Sequence, residues 1–210
     1  MAMPSDPQAL DDVIVLSREQ TRITTDARVL AEARGRFAKT SAVVLRGFLA
    51  PTLLQQVQEQ VRRGEFSEFV HPASGVEDVM EHRDVIWLLR FLIGTGDVLR
   101  AVESITGVRA LRKCQLRVYR FLPNTGHRHD WHDDYSDGRR LGLSVNLSED
   151  YFDGGNLQIR HRDAETLLND VRNTGPGDAV IFGLGDDLEH QVLPVVGAAP
   201  RVALAGWFRE

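Results

Sequence analysis

The stretch from Gly126 to Tyr135 reads GHRHDWHDDY, and between His127 and Asp134 it gathers three histidines and three aspartates. Such residues either solvate a polar loop or bind a divalent metal, and the spacing favours the second. His132 and Asp134 stand two positions apart, so in an extended segment both side chains point to one face. An imidazole and a carboxylate on one face supply two ligands, and a third must come from elsewhere. His190, at the start of an apolar strand after the polar turn Gly185-Asp186-Asp187, is the natural candidate. Arg201 follows on what reads as the next antiparallel strand. From it, Ala203, Ala205 and Trp207 take one face, and Val202, Leu204 and Phe208 take the other. An arginine flanked by alanines leaves room for a bound anion, and its planar fork suits a carboxylate.

These residues need a scaffold, and the chain changes grammar to provide one. Up to Gly107 it reads as helix and strand. After a short apolar run at Val13 to Leu16, a helix is predicted over Thr25 to Ala38, with Val29, Leu30, Ala33 and Phe37 on one stripe. Ser41 to Leu45 reads as a strand, and Pro51 opens a helix whose Leu53, Leu54, Val57 and Val61 share a face. Further helices are predicted from Asp84 to Ile93, and from an N-cap at Asp97 to a stop at Gly107. Beyond Gly107, short period-two segments alternate with glycine-rich turns: Ala110 to Phe121, Leu141 to Leu147, Asn156 to Arg160, Ala179 to Phe182, His190 to Val196 and Arg201 to Phe208. Helices followed by many short strands predict a mainly β fold, a jelly roll or barrel with supporting N-terminal helices. No repeat, low-complexity tract or linker divides the 210 residues. One domain is expected, with residues 1–108 as support and 109–210 carrying the site.

Two histidines and one carboxylate on one face of a metal leave its other positions open, the arrangement associated with non-haem Fe(II) oxygenases. In order along the chain stand Tyr119, His132-x-Asp134, Gly154-Gly155-Asn156-Leu157, Gly177-Asp178-Ala179-Val180-Ile181-Phe182, His190 and Arg201, with Gly47-Phe48-Leu49 ahead of an earlier helix. With this set the chain resembles the Fe(II)/2-oxoglutarate-dependent dioxygenase superfamily, and within it the prolyl-4-hydroxylase-like branch. The resemblance implies a double-stranded β-helix, a cupin-like jelly roll, with His132, Asp134 and His190 on Fe(II). It further implies Arg201 on the far carboxylate of 2-oxoglutarate, Tyr119 as a second contact to that co-substrate, and O2 as oxidant. Hydroxylation with release of succinate and CO2 is the default outcome. Asp134 disfavours halogenation, which needs a small residue there. Many relatives carry a serine two residues after the arginine where this chain has Ala203, and often an aromatic residue where it has Asn146.

The strand through Tyr119 places Gln115, Arg117 and Tyr119 on one face and Cys114, Leu116 and Val118 on the other, so Cys114 belongs to the core. Arg117 is positioned to meet a substrate carboxylate. Trp131 and Asn146 join it as candidate substrate contacts, while Asp130, Asp133, Asp186 and Asp187 offer an acidic rim for an ammonium group. An amino-acid-like or peptidyl substrate follows, with a small free metabolite as the alternative. The polar stretches Gly64 to Arg83 and Pro123 to Trp131 are expected as loops framing the mouth. A rival assignment is a cupin-type isomerase or binding module using His127-x-His129 with Asp133 or Asp134. Its second motif fails, because His190 lies too far from Gly175-Pro176-Gly177, so His127 and His129 are expected at the mouth or behind the ligands. His71, His82 and His161 have no partner pattern and read as surface or loop residues.

Composition sets the outer bounds. Apolar residues at 42% and charged ones at 26% fit a globular protein, and a net charge of −5 gives no electrostatic case for nucleic acid or an anionic membrane. One cysteine excludes an internal disulfide and a multi-cysteine zinc site. No eighteen-residue apolar run exists, and Asp6, Asp11 and Asp12 in an opening without an apolar run argue against a signal peptide, so a cytoplasmic location is expected.

Overall fold

The computed structural model describes residues 9–72, 74–81, 84–136 and 138–210; the reading of His82 lies outside them. Short strands β1 (Leu10–Asp11), β2 (Ile14–Val15) and β3 (Arg22–Ile23) precede α1 (Ala27–Thr40). They are followed by β4 (Ala42–Arg46), α2 (Pro51–Arg63), the hairpin β5 (Phe66–His71) and β6 (Gly75–Met80), α3 (Asp84–Ile93) and α4 (Gly96–Thr106). The rest is strand: β7 (Lys113–Phe121), β8 (Arg128–His132), β9 (Arg139–Asn146), β10 (Asp153–Gly154), β11 (Leu157–His161) and β12 (Leu167–Val171). β13 (Ala179–Gly183), β14 (Leu188–Val192), β15 (Val195–Val196) and β16 (Arg201–Arg209) complete the chain.

The main sheet runs β1-β4-β13-β9-β16-β7-β6-β8-β14-β11-β12, with β5 paired to β6. It curls over on itself: Val44, near one end of that order, packs in the same buried cluster as Ile159 and Val171 at the other. Period-two alternation sorts the strands onto two cores. Leu141, Leu143 and Val145 of β9, Ile181 of β13, and Cys114, Leu116 and Val118 of β7 face the helices. Tyr119, Phe121, Val180, Phe182, Val192 and Ala203 face the interior of the roll. In α2, Leu53, Val57 and Val61 are buried, each removal from water contributing roughly 1.5–3 kcal/mol. Among the described residues no helix is long and apolar enough to cross a membrane.

Several boundaries differ from the sequence reading for local reasons. Thr95, rather than Asp97, is the residue capping α4; Asp97 sits in its first turn, where an acid still favours the helix dipole. The strand expected from Ala110 begins only at Lys113, because Ala110 holds a φ of +63° that no strand accommodates. The expected strand from His190 to Val196 is two strands broken at Leu193-Pro194, since proline has no N–H to give a ladder. Arg201 does not lie beside His190 on a neighbouring strand: β16 pairs with β7 and β9. The stretch expected as a loop from Gly64 is the β5–β6 hairpin, and the loop expected from Pro123 contains β8.

Candidate active site

His132 ends β8 and His190 is central in β14, and the two strands pair antiparallel with these residues directly opposite. Their rings lie 4.3 Å apart between centroids. Asp134 is past the end of β8, and its Oδ2 returns to within 3.5 Å of His190 Nε2 and 3.8 Å of His132 Nε2. The indole Nε1–H of Trp207, on β16, donates to that same oxygen at 2.8 Å. The guanidinium of Arg139 stacks 3.7 Å over the Trp207 ring and approaches the other Asp134 oxygen at 3.5 Å.

The electrostatics suit a cation. Burial, with His190 beside it, pushes His132 down to about 4, so its imidazole is neutral near pH 7. Its Nδ1 sits 2.7 Å from the Asp130 carbonyl, which makes Nδ1 the donor and leaves the Nε2 lone pair free. Burial pushes the Asp134 carboxyl upward, but His190, His132 and the Trp207 N–H outweigh it and hold the group well below the usual carboxylate range. Two imidazoles and one ionised carboxylate, their ligand atoms all within 4.8 Å of one another, fit a divalent metal.

The same cavity, of about 310 Å³, is lined at another point by Arg201. Arg201 is buried, its Nη1 donates to the Tyr119 hydroxyl, and its Nη2 donates to Ser144 Oγ at 3.1 Å. Cross-strand register explains the grouping: Ala203 lies opposite Tyr119, and Ala205 lies between Arg117 and Ser144. Gly154 and Gly155 hold φ of +75° and +65°. A Cβ on Gly155 would meet Arg201 Cδ at 2.8 Å, and one on Gly154 would meet the Pro194 carbonyl at 2.4 Å. Gly155 thus makes room for the arginine, and Gly154 for the close passage of the chain at Pro194.

Other residues singled out by sequence take different places. Arg117 lines the cavity, but its Nη2 is already paired with Glu77 at 2.9 Å. Trp131 lies under the Arg160 guanidinium, 4.0 Å away, and is not among the residues lining this cavity. Asn146 is buried and occupied: its Nδ2 donates to the Thr174 carbonyl and its Oδ1 accepts from Ser148 N. His129 faces the cavity, whereas His127 accepts a hydrogen bond from Leu122 N. Asp133 pairs with Arg162 and Asp130 with Arg128, so these two rim acids carry their own counter-charges, and Asp187 contacts the His161 ring. His161 is a surface residue as expected, but His71 is a half-buried partner of Glu77 that lines the cavity. Cys114 is buried, and burial pushes its thiol up to about 11. Sequence reasoning missed Ser144, Arg139, Glu77 and the bond from Trp207 to Asp134; only Trp207, in step with Ala203 and Ala205, left a signal.

A family model described as 2OG-Fe(II) oxygenase superfamily matches residues 114–209, the span that holds the triad, Tyr119, Ser144 and Arg201. Over that span, just under half of its length, the chain is similar to the 2OG-Fe(II) oxygenase superfamily. That family uses Fe(II), 2-oxoglutarate and O2. A prolyl-4-hydroxylase from Pseudomonas putida superposes with a TM-score of 0.65 at 21% identity, over 86% of this chain and 98% of that one. A prolyl hydroxylase from Trichoplax adhaerens, in complex with a hypoxia inducible factor peptide fragment, gives 0.62 at 16%, over 87% and 89%. SnoN, a non-haem α-ketoglutarate-dependent epimerase of nogalamycin biosynthesis, gives 0.64 at 15%, over 88% and 84%. The fold shared with these structures is the double-stranded β-helix. No curated protein sequence matches the chain.

Proposed function

We propose that His132, Asp134 and His190 hold Fe(II), that Arg201 with Tyr119 and Ser144 holds the far carboxylate of 2-oxoglutarate, and that the protein hydroxylates an unactivated C–H bond of an amino-acid-like or peptidyl substrate, releasing succinate and CO2. The observation that carries this reading is a single cavity lined both by a triad of two imidazoles and a carboxylate and by a buried arginine. Bound iron supplies the activation of oxygen that the side chains cannot. The chain's own residues position and exclude. Asp130 fixes the His132 tautomer, and Trp207 orients Asp134. Arg201 fixes one end of the co-substrate, and Ala203 and Ala205 leave space for its body. Leu157, Phe182 and Val192 line the remainder and keep water out. Residues 1–108 act as support for residues 109–210 in one catalytic unit, and a buried, reduced Cys114 suits a cytoplasmic setting.

The prolyl hydroxylases among the structural neighbours support an amino-acid-like substrate. A small free metabolite is the second reading. A cavity of about 310 Å³ lies at the small end for ligand pockets, and the rim acids Asp130 and Asp133 are already paired with arginines. The test is succinate release with iron and 2-oxoglutarate against free amino acids, short peptides and small metabolites. Turnover coupled to an amino-acid-like compound is expected. Coupling only to a hydrocarbon or a nucleobase would overturn the substrate class, and absence of any 2-oxoglutarate consumption would overturn the site.

A further inference from the structure

A second group of two histidines and one carboxylate stands beside the triad, on residues with no place in the proposed reaction. Glu77 lies in β6 where that strand changes partner: Gly75 and Val76 pair with β8, and Asp78 pairs with β7. Its side chain enters the fork between the two strands. There it meets His71 from the end of β5 and His129 from β8. Glu77 Oε1 lies 2.9 Å from His71 Nε2, and Oε2 lies 3.1 Å from His129 Nε2. The Oε2–His129 distance matches the roughly 2.9–3.4 Å expected between atoms that each sit about 2.1 Å from one ion, and the Oε1–His71 contact is a hydrogen bond that holds His71 beside the carboxylate; both contacts are close. They are shorter than the corresponding 3.5 and 3.8 Å in the triad.

We propose that His71, Glu77 and His129 form a second binding site for a divalent transition-metal ion in the same cavity. Beyond the spacing, two buried atoms ask for a partner. Glu77 is 0% exposed and the His129 side chain 9%, yet Glu77 Oε2 and His129 Nε2 make no hydrogen bond of acceptable geometry. A cation between them satisfies both. His71 and His129 also line the cavity, so solvent can complete the coordination. Arg117 Nη2 occupies the other side of the carboxylate, 2.9 Å from Oε1. That contact orients the carboxylate and leaves Oε2 for the ion. Its positive charge also opposes a cation, so this site is weaker than the triad, and it selects ions that bond to imidazole, such as Zn(II) or Co(II), over Mg(II) or Ca(II). The His129 and His132 rings are 5.9 Å apart, so an ion held here takes space that a substrate approaching the triad also needs.

The test is calorimetric titration of chelator-stripped full-length protein with Zn(II). Wild type is expected to bind two ions, with the weaker step absent in Glu77→Gln and in His71→Ala. Because His71 ends an edge strand, His71→Ala keeps the test valid if Glu77→Gln fails to fold. Asp134→Ala is expected to lose the tighter step and keep the weaker one. One ion in wild type, or two in all of wild type, Glu77→Gln and His71→Ala, overturns the second site and leaves the triad standing. Retention of the tighter step in Asp134→Ala overturns the triad assignment instead.

Discussion

Two clusters of two imidazoles and a carboxylate line one cavity, and they differ most in what else the carboxylate touches. Asp134 receives a neutral N–H from Trp207, and the nearest guanidinium nitrogen, of Arg139, is 3.5 Å away. Glu77 is wholly buried with a guanidinium at 2.9 Å and an imidazole at the same distance on one oxygen. A carboxylate with neutral donors keeps its charge available for a cation, whereas one bonded to arginine has most of it compensated. On the proposed assignments, this difference makes the triad the stronger of the two metal sites.

The largest effect is expected from Asp134→Ala. Removal of a ligand should cost more than the roughly 10–100-fold that loss of an outer partner costs, and should abolish 2-oxoglutarate turnover. His127→Ala, which removes only an acceptor for Leu122 N, should retain most of it. Iron affinity and succinate release measured side by side decide the matter. Equal loss in both variants would revive the cupin-type ligand set.

Arg201→Ala comes next. Truncating one partner of a buried charge pair costs about 3 kcal/mol, so the KM for 2-oxoglutarate should rise on the order of a hundredfold. Iron affinity should stay unchanged. Lysine should rescue in part, because it keeps the charge but cannot donate in parallel to a carboxylate, Tyr119 and Ser144. An unchanged KM would make Arg201 a purely structural residue.

The grouping of His132 with Asp134 was legible in the sequence because its signal is local, whereas His190 and Arg201 were reached only through the order of motifs along the chain. His132 and Asp134 sit two apart, and the faces of β7 and β16 follow from strict alternation, which placed Cys114, Leu116 and Val118 toward the helices as found. Helix α3 was bounded correctly at both ends, since an apolar run closes at Gly94. The Glu77 cluster left no such trace. It is assembled from β5, β6, β7 and β8, and β5 is an edge strand exposed over most of its length, so no hydrophobic alternation announces it. The same applies to β12 at the other edge of the sheet, where Val171 alone is buried. Ser144 became a partner of Arg201 only through register across Ala205, a long-range pairing that spacing along the chain does not encode.

A smaller effect tests the neutral donor itself. Trp207→Phe keeps a ring under Arg139 and removes only the N–H to Asp134. Iron affinity should fall about tenfold, with the KM for 2-oxoglutarate little changed. An affinity equal to wild type would show that Asp134 is held by its chain geometry alone, and would remove the feature that distinguishes it from Glu77.

The smallest effect concerns stability of the metal-free protein. His132 is pushed down to about 4, mainly by burial, while an unfolded histidine titrates near 6.5. Between these values the unfolded chain binds a proton that the folded protein does not, so stability rises with pH there. The contribution is fully present above about pH 6.5, is lost as pH falls toward 4, and changes no further below that. The shift corresponds to at most about 3 kcal/mol, and about 1–2 kcal/mol is expected because a fifth of the side chain remains exposed and screened. Asp134, held low, acts in a separate window: its stabilisation is present above its unfolded value near 4 and is lost only below it. Thermal melts of wild type and His132→Gln, metal-stripped and compared from pH 7 to pH 4, isolate the histidine. The wild type should lose about 1–2 kcal/mol more than the variant over that range. Parallel curves would mean that His132 accepts a proton in the folded state, and that its imidazole is not held neutral for a metal.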